Sequence, residues 1–207
     1  MFNDREDAAL QLADQLAGLR GKQPLILAIP RGAVPMGKVL ADSLGGDLDV
    51  VLVRKLGAPR SDEVAIGSVD ESGWTYLAPH AALLGADAAY IAAEKRRQLE
   101  AIRTRRARYS PVRPPLDPTG RTVIVVDDGL ATGATMIAAL HSLRERHPTR
   151  LICAVPVASR DALDRVRPLA DEVVCLLAPE DFQAVGQYYR RFPQVEDDEV
   201  MGLLQAP

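Results

Sequence analysis

Residues 123–135 carry the sequence VIVVDDGLATGAT, and they constrain the fold more than any other part of this 207-residue chain. Four β-branched residues in a row are typical of a strand covered on both faces, and the run ends at Asp127 and Asp128. A loop of small residues follows, and apolar residues then recur at helical spacing from Met136 to Leu143. The stretch therefore predicts a strand, a loop and a helix in that order.

A loop of this kind points backbone N–H groups and the positive end of a helix dipole at one place. Thr132 and Thr135 add hydroxyl donors, so the loop favours a phosphate. The two carboxylates upstream would repel a bare phosphate, but they can accept hydrogen bonds from hydroxyl groups. The predicted ligand is a sugar phosphate with a free diol, such as ribose 5-phosphate. The alternative, a buried strand with an acidic helix cap, explains one Asp and not the rest.

The stretch closely resembles the phosphoribosyl-pyrophosphate (PRPP) signature of the type I phosphoribosyltransferases, which has four apolar residues, two acids, three variable positions and Thr-Gly-x-Thr. The resemblance implies an α/β protein with a parallel-sheet, Rossmann-like fold, flanking helices, a flexible flap and a small cap. It also implies that Asp127 and Asp128 hold the ribose hydroxyls. The 5′-phosphate would lie on the residues of the following loop: Gly129, Leu130, Ala131, Thr132, Gly133, Ala134 and Thr135.

A second strand, turn and helix pattern begins with the apolar run 24–29. The run breaks at the turn formed by Pro30, Arg31, Gly32 and Ala33. Glycine lets the backbone approach a ligand closely, and the arginine supplies positive charge. Alone, these residues fit an ordinary strand-to-helix turn. Beside the signature at 123–135, they resemble the loop that holds the diphosphate of PRPP in this family.

A third apolar run, Leu48 to Val53, is predicted to be a strand that ends at Arg54 and Lys55. Cations at the carboxyl end of a parallel strand lie where such sheets bind ligands, so these two could neutralise a diphosphate. Cations after a strand can also be merely solvated. The segment further resembles the adenine-type enzymes, and this implies a mobile loop and a two-stranded flap within residues 57–77, formed by 64–69 and 74–77.

Residues 87–108 form the longest helical pattern. Its basic side chains are Lys95, Arg96, Arg97, Arg103, Arg105, Arg106 and Arg108. They either form a solvated face with acidic partners elsewhere or in a second subunit, or they contact an anionic substrate or nucleic acid. Aromatic residues are not interleaved among them, so a single-strand nucleic-acid platform is not expected. With the proline-rich linker at 110–119, this helix makes residues 87–119 an insertion.

The two ends of the chain supply further elements. Residues 5–19 have the apolar stripe of an amphipathic helix, which we expect to pack on the sheet and to carry no chemistry. Residues 178–207 are predicted to form the cap over the sheet. Within it, Phe182, Tyr188 and Tyr189 could stack on an acceptor base, or they could pack in the core.

Composition narrows the class of protein. A formal net charge of −3 argues against a nucleic-acid coat or a membrane-surface protein, and no apolar run approaches membrane-spanning length. We therefore expect one domain over residues 1–207, in the cytoplasm and assembled as a homodimer. Cys153 and Cys175 lie in apolar runs and are predicted to be buried free thiols, with a disulfide as the alternative.

These residues suit a PRPP-dependent transferase that moves the phosphoribosyl group to a nucleobase or similar nitrogen acceptor. The predicted catalytic residues are Asp127, Asp128, Arg54 and Lys55. Mg²⁺ is the expected cofactor, held through PRPP oxygens and water rather than directly by the protein. A non-catalytic regulator that senses PRPP or a nucleotide is the alternative. A phosphatase or ribose-phosphate hydrolase would need a nucleophile that the sequence does not identify.

Two positions depart from the family pattern. Position 129 is Gly where the family more often has an aliphatic residue, and this would loosen the loop. Ala131 stands where the hypoxanthine/guanine-type enzymes carry an Asp that faces the purine. The missing acid argues against ordinary 6-oxopurine salvage and resembles the adenine-type enzymes, whereas the basic helix does not belong to a compact adenine-type chain. The identity of the acceptor therefore stays open.

Overall fold

A computed structural model describes residues 1–205, apart from the side chains of residues 62 and 63. The last two residues of the predicted cap, 206 and 207, lie outside the described residues. The helices are α1 Arg5–Gln15, α2 Val34–Leu44, α3 Ala88–Tyr109, α4 Ala134–Arg144, α5 Arg160–Val166 and α6 Asp197–Gln205. The strands are β1 Leu25–Ala28, β2 Asp47–Val50, β3 Val53–Ala58, β4 Ser61–Asp70, β5 Thr75–Leu77, β6 Thr122–Val126, β7 Arg150–Val157 and β8 Glu172–Leu177.

The main sheet has five parallel strands in the order β2-β1-β6-β7-β8, which confirms the predicted fold class. Strand β6, which precedes the two acids, lies in the middle, and its residues Val123 to Val126 have no exposed surface. The register aligns Ala28 at the end of β1 with Val126 at the end of β6. Because both strands end at the same level, the two predicted binding loops leave the sheet side by side.

Alternate residues of the sheet enter two separate cores. Ile26, Ile124 and Ile152 pack with apolar residues of α1, α2 and α6 on one face. Leu25 and Val123 pack with residues of α4 and α5 on the other face. The alternation explains why the strands carry uninterrupted apolar runs, since each residue is covered by one helical layer or the other.

A second sheet of three antiparallel strands, in the order β3-β4-β5, corresponds to the predicted flap. The two predicted strands pair with each other as β4 and β5, and β3 adds a third strand along β4. The predicted strand Leu48 to Val53 was wrong at its end. The chain leaves the main sheet after Val50, so Arg54 and Lys55 lie inside β3, opposite Val69 and Ser68.

The predicted basic helix is confirmed as α3, and several of its arginines find acidic partners within the same chain. The pairs are Arg97 with Glu94, Arg105 with Asp197, Arg106 with Glu71, and Arg108 with Asp197 and Asp198. Two of these acids lie on α6, so the insertion and the C-terminal helix are joined through charge. None of the helices within residues 1–205 combines the length and apolar character needed to cross a bilayer.

The cysteines occupy neighbouring strands of the main sheet, and neither forms a disulfide. Cys153 on β7 is buried as predicted, and burial raises the pKa of its thiol. Cys175 on β8 is only partly buried, so the prediction of two buried thiols holds for one of them. The exposed edge position of β8 accounts for the difference.

Candidate functional site

Asp127 and Asp128 directly follow β6 and lie at the carboxyl end of the main sheet. Both are partly buried. Asp127 Oδ1 accepts a hydrogen bond from the backbone N–H of Asp128 at 2.9 Å. Burial raises the pKa of Asp127, and the adjacent Asp128 carboxylate acts in the same direction. Burial also raises the pKa of Asp128. Two acids are thus held together in a place where charging both of them is costly.

Arg5 of α1 compensates part of this charge. Its Nε and Nη2 atoms donate to Asp128 Oδ2 at 3.0 and 2.9 Å, and its Nη1 donates to the backbone oxygen of Pro193 at 2.7 Å. The guanidinium also lies over the ring of Phe192, 3.9 Å from its centroid. The first helix, which was expected only to pack on the sheet, thus also contacts a residue of the candidate site. The contact joins residues 123 positions apart, and helical periodicity gives no sign of such a pairing.

The loop after the two acids is fixed at its base and open at its centre. The backbone N–H of Leu130 donates to the carbonyl of Val157, and the side chain of Leu130 is buried. This residue therefore shapes the loop and does not offer its amide to a ligand. Gly133 has φ of 76°, which favours glycine, and it caps the N-terminus of α4. Thr132 Oγ1 accepts from the backbone N–H of Ala134 at 3.4 Å.

The turn from Pro30 to Ala33 lies against this loop. It contains a cis peptide bond between Pro30 and Arg31. A Cβ atom at Gly32 would collide with Asp128 Oδ2, so only glycine lets the turn approach the acid. Ala33 is buried and precedes α2. Arg31 contacts the tail, where its Nη1 lies 3.0 Å from Glu196 Oε2.

The two loops enclose one cavity of about 260 Å³. Its lining includes every loop residue from 127 to 135 together with Pro30, Gly32 and Lys55. Arg54 lies instead on an adjoining cavity of about 370 Å³, which shares Ile29, Pro30, Lys55 and Thr135 with the first. The structure thus brings together most of the residues selected from the sequence, and it divides them between two connected spaces.

Arg54 is held by a neutral partner. Its Nε donates to Gln98 Oε1 of α3 at 2.9 Å. Burial lowers the pKa of Arg54, and the nearby positive charges of Arg105 and Arg97 act in the same direction. Lys55 beside it is exposed and lines both cavities. The two cations therefore share a strand but face different surroundings.

The aromatic residues of the tail were predicted either to stack on an acceptor base or to pack in the core. Tyr189 is buried, its hydroxyl donates to the backbone oxygen of Asp128 at 2.7 Å, and its ring packs near Phe2 and Phe192. Of the two roles predicted for Tyr189, the structure shows core packing, because the ring is covered by its own chain. Phe182 and Tyr188 stack on each other with centroids 5.7 Å apart and line neither cavity.

Val185 is the tail residue that reaches the loop. Its two methyl groups lie 2.6 and 2.8 Å from the place where a Cβ of residue 129 would be. Val185 also lines the first cavity. The tail therefore supplies, beside Gly129, the aliphatic packing that the glycine lacks.

A family model described as the phosphoribosyl transferase domain matches residues 2–192. Two Mycobacterium tuberculosis proteins, from strains CDC 1551 and H37Rv, are each 43% identical to the chain over 205 residues. Both are provisionally named phosphoribosyl transferases. The matches cover 99% of the chain but 46% of each relative, so the chain spans about half the length of these curated relatives.

Solved structures show the same fold. The protein TT1426 from Thermus thermophilus is 46% identical, with a TM-score of 0.82, over 99% of the chain and 97% of that structure. A Neisseria gonorrhoeae protein solved with bound ppGpp has a TM-score of 0.55 and 16% identity, over 99% of the chain and 97% of that structure. At that identity the second likeness concerns the fold alone.

Proposed function

The chain belongs to the phosphoribosyl transferase domain family, and from this premise we propose that it transfers the 5-phosphoribosyl group of PRPP to a nucleobase or similar nitrogen acceptor and releases diphosphate. The observation that carries the proposal is the cavity of about 260 Å³. Carboxylates line one side of it, loop residues at a helix N-terminus line the other, and Lys55 lies at its junction with the second cavity.

Each side of the cavity suits one part of the substrate. The loop from Ala131 to Thr135 precedes and begins α4, so its backbone amides and the helix dipole favour the 5′-phosphate. The carboxylate of Asp127 is available to accept hydrogen bonds from the ribose hydroxyls. Lys55 lines both cavities and Arg54 lines the adjoining one, where the two cations would neutralise the diphosphate.

The reaction separates charge, and electrostatics would lower its barrier. Cleavage at C1 builds positive charge on the sugar ring while negative charge gathers on the departing diphosphate. Asp127 and Asp128 line the cavity that would hold the sugar, and Lys55 with Arg54 line the one that would hold the leaving group, so each developing charge would meet fixed groups of opposite sign. The free energy needed to fix these carboxylates and cations in place would be spent when the protein folds, before the substrate binds.

Mg²⁺ fits this donor set. Within the described residues, no group of three or more His, Cys, Asp or Glu side chains is arranged to hold a metal. Carboxylate oxygens and phosphate oxygens are nevertheless the hard ligands that Mg²⁺ prefers, and it usually keeps several waters. Asp127 would orient the hydrated ion, and the ion when bound would neutralise charge on the diphosphate.

The alternative is a regulator of the same fold that binds PRPP or a nucleotide without turnover. It is favoured by one observation, that groups expected to contact the substrate already have partners in the chain. Arg5 neutralises Asp128, and Glu196 neutralises Arg31. A ligand would have to compete for these groups, as an effector that changes a conformation does.

Binding and turnover distinguish the two functions. PRPP and ribose 5-phosphate would be titrated calorimetrically, and diphosphate release would then be followed with Mg²⁺ and a panel of bases. Release that depends on a base and is abolished in Asp128→Asn supports the transferase. The matched control is Asp14→Asn, which neutralises a carboxylate whose side chain is 77% exposed and should change nothing. Tight PRPP binding without release supports the regulator, and failure to bind either ligand at millimolar concentration rules out both.

A further inference from the structure

Helix α3 forms a wall of the second cavity, although the PRPP signature gives this inserted helix no role. Glu94, Arg97 and Gln98 line the cavity of about 370 Å³ together with Arg54 and Lys55 of β3. The helix is fixed to the strand by the hydroxyl of Tyr90, which donates to the backbone oxygen of Gly57 at 2.8 Å. The helix therefore presents a defined set of side chains to this space.

A chain of hydrogen bonds runs along that wall. Gln98 Oε1 accepts from Arg54 Nε at 2.9 Å, and Gln98 Nε2 donates to Glu94 Oε1 at 2.8 Å. Glu94 in turn accepts from Arg97 Nε at 2.7 Å. Glu94 and Gln98 are 4% and 7% exposed, so both are held in place by their surroundings. The orientation of Arg54 is thus set by two buried residues of α3.

Among the described residues that line this cavity, the cations Arg54, Lys55 and Arg97 accompany one acid, Glu94. Among the side chains that the structure describes, Arg54 forms no ion pair, and its hydrogen-bond partner Gln98 is neutral. Arg97 binds Glu94 in two places. Burial and the nearby guanidinium groups also lower the pKa of Arg54. An anion with more than one charge would relieve this imbalance.

We infer that α3 completes the site for the diphosphate end of the substrate, with Arg97 as a binding residue and with Glu94 and Gln98 as positioning residues that aim Arg54. The inference rests on the proposed function. The two cavities share Pro30, Lys55 and Thr135, so one ligand with a phosphate at one end and a diphosphate at the other reaches both. The basic insertion then serves substrate binding rather than nucleic acid.

The binding role of Arg97 is tested with three ligands: PRPP, inorganic diphosphate with Mg²⁺, and ribose 5-phosphate. Calorimetry on Arg97→Gln should give about tenfold weaker binding of PRPP and diphosphate, the loss expected when a charged hydrogen bond is removed, with ribose 5-phosphate unchanged. Arg103→Gln is the matched control. It removes a charge from the same helix, also from a pair with a glutamate three residues earlier, at a side chain that is 74% exposed. It should bind all three ligands as the wild type does.

The positioning role of Gln98 needs a variant of similar size that cannot form the hydrogen bonds. Gln98→Met should raise the KM for PRPP about tenfold while kcat at saturating PRPP stays within about twofold. Arg54→Lys keeps the charge but loses the bond to Gln98, so the double variant should be no weaker than the worse single variant. A thermal melt of each protein separates these effects from unfolding.

The outcomes distinguish failure of the role inferred for α3 from failure of the proposed transferase function. If the wild type binds PRPP but Arg97→Gln and Gln98→Met bind diphosphate as tightly as the wild type, the inference is overturned and the proposed function stands. Equal losses for ribose 5-phosphate and diphosphate would also overturn it, because the residues would then act through the fold. If the wild type binds neither PRPP nor diphosphate, the inference about α3 and the proposed function are both overturned.

Discussion

At the scale of single residues, the carboxylate of Asp127 is kept at a cost to stability. Burial and the neighbouring Asp128 raise the pKa of Asp127, so the folded chain holds this proton more tightly than the unfolded chain does. The contribution to stability is therefore full below the unfolded pKa and is lost as pH rises through the folded pKa. A neutral amide of the same shape avoids this loss.

Asp127→Asn should consequently stabilise the ligand-free protein while weakening PRPP binding. We expect a gain of about 1 kcal/mol near neutral pH, which raises Tm by about 2–4 °C in a chain of this size. The gain should shrink toward zero below about pH 4, where the unfolded aspartate is itself protonated. Calorimetric melts across pH measure it, and a Tm that falls at neutral pH would contradict the electrostatic reason.

Arg5 is the second residue whose contribution can be separated. Its side chain and that of Asp128 are 11% and 17% exposed, so the pair is largely shielded from water. Arg5→Gln leaves the buried carboxylate without its cation and should cost about 3 kcal/mol of unfolding free energy. In an Asp128→Asn background the cost should fall by at least about 1 kcal/mol, measured by urea unfolding of all four proteins. Equal costs in both backgrounds would mean that Arg5 acts through Phe192 or Pro193 instead.

At the scale of elements, the loop and the tail depend on each other through Gly129 and Val185. An alanine at 129 would meet the Val185 methyls at 2.6 and 2.8 Å, and such crowding costs about 2 kcal/mol. We expect Gly129→Ala to lower stability by that amount and Gly129→Ala with Val185→Ala to recover most of it, as measured by urea unfolding. Gly18→Ala is the control, because nothing lies within 4 Å of its added Cβ. A double variant as unstable as the single one would contradict direct packing.

The sequence predicted elements well where one local pattern decides them. The run Val123 to Val126 is apolar at every position, and only a strand covered on both faces accommodates that. The sequence did not predict β3, because the charged residues Arg54 and Lys55 indicated the end of the preceding strand. Their pairing with Val69 and Ser68 depends on a partner that comes later in the chain. The contacts of Arg5 and Val185 with the signature loop were missed for the same reason, since they are set by packing and not by local spacing.

At the scale of the whole molecule, the two sheets meet at α4. Ser68 of β4 donates its hydroxyl to the backbone oxygen of Ala134 at 2.6 Å. Trp74 stacks on His141 of α4, with ring centroids 3.7 Å apart and planes inclined by 9°. The N-terminus of α4 belongs to the phosphate loop, while β3 carries Arg54 and Lys55. A ligand that contacts both the N-terminus of α4 and strand β3 would therefore interact with both sheets at this junction.

Trp74 is the one tryptophan in the sequence, so its fluorescence reports on that junction directly. PRPP should change the emission in a saturable way, with the Kd found by calorimetry, because it binds to α4 and to β3 together. Ribose 5-phosphate lacks the diphosphate and should give a smaller change at saturation. His141→Leu removes the stacked ring and should alter the starting emission, and Trp74→Phe should abolish the signal without changing the Kd. If PRPP binds while the emission stays constant, the smaller sheet is a fixed wall of the site and the predicted movement of residues 57–77 does not occur.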